Sequence, residues 1–216
     1  VIFHTTDHEE GITRMKKFLL LAFAAALGFA VVSCKDGNDS KTKEGGEFNF
    51  RKTTWGMSRE QVKTTEDSAP TGDKPEVVTY RGEIEGMPVI IGYIFEEDKL
   101  TKAGYLMQSS HEDPNSYISD YDKMKEFFIQ KYGTPAQDDM VWNEGEELDD
   151  PDKFGESVCG GKLRYSTVWT DGVTVIKEKL DGEEGKCRHG VIFESADQYL
   201  NKPTGNDDSA QSQPAQ

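Results

Sequence analysis

The sequence predicts an α+β fold, an antiparallel sheet with two helices on one face, and three observations carry that expectation. Residues 76–107 and 163–193 alternate apolar and polar side chains, with short turns bearing Gly, Asp and Glu between the runs. Residues 113–133 instead repeat with the helical period. A shorter helical start at Ser58 precedes the first set of strands, so the order is helix then strands, twice. The halves 48–110 and 113–197 are therefore candidate tandem units of a single α+β domain spanning residues 48–200.

The first helix is signalled at its start. Ser58 and Gln61 have the spacing of a capping box, and Met57 and Val62 that of a hydrophobic staple. Pro70, Gly72 and Pro75 then break the chain. Three strand-like runs follow at residues 76–84, 88–96 and 99–107. The middle one is apolar on both faces, which predicts a central position. For the second helix, Asp113 is the expected N-cap and Pro114 the first residue, while Gly133 and Pro135 close it. Tyr117, Tyr121, Met124 and Phe128 form its apolar stripe, flanked by Ile118 and Phe127. A short strand at residues 140–143 carries Trp142, an acidic loop occupies residues 144–156, and strands at 163–169 and 173–180 flank the hairpin signal Asp171-Gly172. A Gly-rich acidic turn at residues 181–185 leads to a last strand through Val191, Ile192 and Phe193. Residues 201–216, rich in Gln, Ser, Asp and Pro, hold no core side chain and are expected to be a disordered tail.

Ahead of the folded part, Lys16 and Lys17 precede the apolar run 18–32, and small residues lead into Cys34. A helix over that run rises only about 22 Å, short of a bilayer core of about 30 Å, so a cleaved signal explains it better than a permanent span. Val31-Val32-Ser33-Cys34 resembles the lipobox of bacterial lipoproteins. The resemblance implies cleavage before Cys34, lipid on Cys34 and an envelope location. Residues 1–14 are then an upstream extension, 15–33 the signal peptide, and 34–47 the lipidated cysteine and a polar tether. Lys35, rather than an Asp, follows the cysteine, which among such lipoproteins implies the outer membrane, on its periplasmic or its surface side.

The formal charge is -15 at pH 7, and removing residues 1–33 takes away three acids and three bases, leaving it unchanged. So acidic a chain argues against nucleic acid and against electrostatic docking on anionic lipid, since both call for basic patches. Cys159 and Cys187 remain once Cys34 is lipidated, and outside the cytoplasm an even count predicts a disulfide. Closing residues 159–187 into a loop would stabilise the fold by roughly 3.5 kcal/mol through chain entropy. A reactive cysteine beside His189 is the rival, since residues 187 and 189 share a strand face, but no CxxC pair or helix start is present to activate a thiolate.

Other chemistry is sparse. Asp138, Asp139, Glu144, Glu146, Glu147, Asp149, Asp150 and Asp152 could bind calcium, but their spacing matches no EF-hand and a solvated loop is expected. His111-Glu112-Asp113 pairs a base with carboxylates, although a turn ahead of a helix cap explains the same residues. No HExxH, Walker or dinucleotide pattern is present, so no metal or cofactor is expected. Trp55, Trp142 and Trp169 are expected in the core rather than on a binding platform.

The segment 56–62, Gly-Met-Ser-Arg-Glu-Gln-Val, resembles the helix start of small outer-membrane assembly lipoproteins of the SmpA/OmlA type. Lys131-Tyr132-Gly133-Thr134-Pro135 with Trp142 resembles the end of their helical part, and the helix-plus-strands order is similar to the beta-lactamase-inhibitor-protein-like fold. These resemblances imply a binding or assembly role. The expected function is thus a non-enzymatic, lipid-anchored envelope protein that binds an envelope protein partner. The alternatives are a surface hydrolase or small-ligand-binding lipoprotein, with its site near the acidic loop and His111 or His189, and a spacer domain without a specific partner.

Overall fold

The computed structural model describes residues 49–200. The expected signal peptide, Cys34, the tether and the tail 201–216 lie outside the described residues. One antiparallel sheet of eight strands dominates: β1 (Gly72–Lys74), β2 (Val77–Ile84), β3 (Met87–Glu96), β4 (Lys99–Met107), β5 (Gln137–Trp142), β6 (Leu163–Thr170), β7 (Thr174–Glu183) and β8 (Lys186–Ser195). Their order across the sheet is β1-β2-β3-β4-β8-β7-β6-β5. Two meanders therefore meet through their last strands, with β4 antiparallel to β8 at the centre. The α+β class expected from the alternating and helical periods holds.

Helix α1 (Arg59–Thr65) starts on the expected capping box, with Ser58 and Gln61 each satisfying the other's backbone N–H. Its Val62 is fully buried. Helix α2 (Asn115–Tyr132) buries Tyr121, Met124 and Phe128. The N-cap is Pro114 and the helix starts at Asn115, one residue later than expected; the Asp113 carboxylate still accepts from the Asn115 N–H at 2.9 Å, in the turn that leads into the helix. Gly133 ends it at φ 84°, a left-handed turn that a Cβ would oppose. Val62, Met124 and Phe128 join Tyr80, Tyr93, Tyr105, Phe193, Ile176 and Trp169 in one apolar cluster, and these strand residues share a single phase of the sheet register. Leu106 and Ile192, with Ile90 and Ile94, occupy the other phase, which is why β3 is apolar on both sides.

Four expectations are corrected. Residues 72–74, read as part of a break, pair with β2 as β1. β5 begins at Gln137, not at 140. The turn expected at 181–185 shrinks to Glu184-Gly185, because both residues take positive φ and so make a two-residue hairpin whose twist matches its strands. The acidic loop at 144–156 ends early, in a 3-10 turn (Pro151–Lys153) and a helix, α3 (Phe154–Cys159). α3 exists through close packing. A Cβ on Gly155 would lie 2.3 Å from the Pro114 backbone, and one on Gly182 would lie 2.3 Å from the Val158 carbonyl. A last short helix, α4 (Ala196–Leu200), follows β8.

Candidate functional site

The groups with most chemical potential lie where α2 crosses β6, β7 and β8. In β7 the inward phase runs Thr174, Ile176, Glu178, Leu180, so a carboxyl group takes a position otherwise held by core side chains. Its neighbour on β8 in the same phase is His189, and Nε2 of His189 lies 2.9 Å from Oε1 of Glu178. Both side chains are sealed, at 2% and 0% exposure. Burial disfavours charge on either. It pushes the Glu178 carboxyl up to about 9 and the His189 imidazole down to about 4. The pair is therefore a neutral carboxylic acid against a neutral imidazole at pH 7. Glu178 Oε2 and His189 Nδ1 have no hydrogen-bond partner among the described residues.

Around the pair, Tyr121 of α2 places its ring 5.8 Å from that of His189. The Tyr121 hydroxyl donates to Thr167 Oγ1, which in turn donates to Asp138 Oδ1 at 2.9 Å. Lys125 lies 3.3 Å from the other oxygen of Asp138. This chain of groups runs from the buried interior to the surface between α2 and β5. Burial holds the Tyr121 phenol well above its ordinary range, so it remains a donor.

His111 forms a second acid–base pair. Its Nε2 lies 2.8 Å from Asp120 on α2, and its ring meets Tyr117 edge-on. His111 and His189, named together as candidates for chemistry, thus belong to separate carboxylate pairs, one part-exposed and one sealed. The Asp120 and Glu178 partners escape a motif search, because neither lies beside its histidine in sequence. Glu178 alone carries a sequence signal, as an acid in the apolar phase of a strand.

Cys159 closes α3 and Cys187 is the second residue of β8, and their sulfurs are at disulfide distance, 2.07 Å. Cys187 and His189 do share a strand face, with the cysteine engaged by Cys159. The acids of residues 138–152 disperse: Asp138 joins Lys125, Glu146 joins Lys162, and Asp150 caps the 3-10 turn. No group of three or more His, Cys, Asp or Glu side chains disposed to hold a metal ion occurs among the described residues. Trp169 is buried as expected, donating from Nε1 to the Gly133 carbonyl, and Trp55 and Trp142 are half-buried. Comparison of the chain with protein families, with curated proteins and with solved structures finds no match.

Proposed function

We propose that this chain is a non-enzymatic, lipid-anchored protein of the bacterial outer membrane that binds another envelope protein or supports envelope assembly. The observation that carries the reading is the order of residues 15–47: basic start, apolar run, small residues, Cys34, then a polar tether. Acyl chains on Cys34 would each contribute about 0.8 kcal/mol per buried methylene, and two or more make attachment stable. The tether 35–47 then gives the folded part a reach of roughly 45 Å from the bilayer. The Cys159–Cys187 pair supports an oxidising address. The strand order, two meanders mirrored about β4 and β8, supports a duplicated unit of helix then strands with both helices on one face.

The test is retrieval of a partner from detergent-solubilised envelopes with the mature chain as bait. A specific protein should be recovered, and lost when exposed positions on α2 or the sheet are altered. Recovery of the bait alone would overturn the binding role.

A further inference from the structure

We propose that the outer edge of β5 receives an extended, lysine- or arginine-bearing segment of a partner protein, which adds to the sheet as a ninth strand. The inference rests on the protein-binding reading above and assigns it a surface and a class of partner.

The sheet has two edges of different character. β1 has three residues, and its Asp73 is held by Arg59 and by Lys63 of α1. β5 has six, and no strand pairs with its outer side among the described residues. The Asn143 N–H donates to the Lys162 carbonyl at 2.8 Å, which sets the phase of the β5–β6 ladder. Residues 139 and 141 therefore bond inward, and the N–H and C=O groups of Asp138, Met140 and Trp142 point away from the sheet. Such a row of main-chain groups is a template for another strand.

The side chains specify what fits. Met140, at the middle of the edge, is 49% exposed, and Leu148 just beyond it is 40% exposed. Residues 137–152 contain eight acids and no base. Lys125, Lys153 and Lys162 pair with Asp138, Asp150 and Glu146, leaving Asp139, Glu144, Glu147, Asp149 and Asp152 with no ion pair among the described residues. A second copy would bring like charge against like charge at this edge. A cationic extended segment meets complementary charge, accepts and donates along the backbone, and places an apolar side chain on Met140.

The test uses the mature chain and a synthetic peptide alternating lysine and valine, with a glutamate–valine peptide as control. The lysine peptide should bind saturably, at least ten-fold more weakly at 0.5 M salt than at 0.05 M, and should slow amide exchange at residues 138–142. Met140→Pro removes one outward N–H and no bond to β6, so it should keep the wild-type thermal midpoint and weaken the peptide at least ten-fold. Changing Glu144 and Glu147 to lysine should weaken it comparably. Equal binding by Met140→Pro, or slowed exchange elsewhere, would overturn the edge assignment. An envelope partner retrieved equally by wild type and Met140→Pro would overturn it too while leaving the protein-binding reading intact. No partner retrieved by wild type would strike that reading instead.

Discussion

A single carboxyl group sets much of the pH behaviour expected of this fold. The Glu178 carboxyl is raised in the folded state, so its contribution to stability is fully present at low pH and is lost as pH rises from its unfolded value, about 4.5, to about 9. His189 acts in the opposite sense. Its folded value is lowered, so stability is lost as pH falls from 6.5 through about 4. The two slopes offset each other between pH 4.5 and 6.5. Above pH 6.5 only the Glu178 slope remains, and at about 1.4 kcal/mol per pH unit it amounts to roughly 3 kcal/mol by pH 9. Denaturant unfolding across this range should show a plateau and then a decline. Glu178→Gln should abolish the alkaline decline and expose the acid-side fall due to His189. A wild-type curve flat from pH 6.5 to 9 would mean that Glu178 is charged in the folded protein.

At the scale of elements, the long patterns were legible and the short ones were not. β2, β3 and β4 alternate over eight to ten residues and lie where the alternation puts them. α2 shows its stripe and its closing glycine, with its start one residue later than the sequence suggests. α3 was not legible. Its six residues, Phe-Gly-Glu-Ser-Val-Cys, carry no helical stripe, and Gly155 argues against a helix until the backbone it packs on is known. β1 was hidden for a similar reason, because three residues between prolines become a strand only by pairing with β2. The Glu178–His189 pair depended on knowing that β7 and β8 are neighbours in register.

α3 is accordingly the element most exposed to small changes. Gly182→Ala would put a methyl group 2.3 Å from the Val158 carbonyl and 2.5 Å from the Cys159 Cα, both backbone atoms that cannot rotate away. It should cost about 1–3 kcal/mol and lower the thermal midpoint by several degrees. Replacing Cys159 and Cys187 with serine should cost roughly 3.5 kcal/mol. Amide exchange should then quicken first in α3, and an unchanged midpoint in both variants would contradict this account of how α3 is held.

For the whole molecule, charge and topology point the same way. The chain carries a net charge of -15, and residues 137–152, which include the β5 edge, contain eight acids and no base. The eight strands form one sheet from two mirrored meanders. No described helix is long and apolar enough to cross a membrane. The proposed attachment is through lipid on Cys34, and intact-mass and peptide mass spectrometry of the protein extracted from its membrane test it most directly. The mature chain should begin at Cys34 with acyl chains on that residue, and a Cys34→Ser variant should be released from the membrane fraction. A chain that retains residues 15–33, or that begins at an unmodified Cys34, would contradict it.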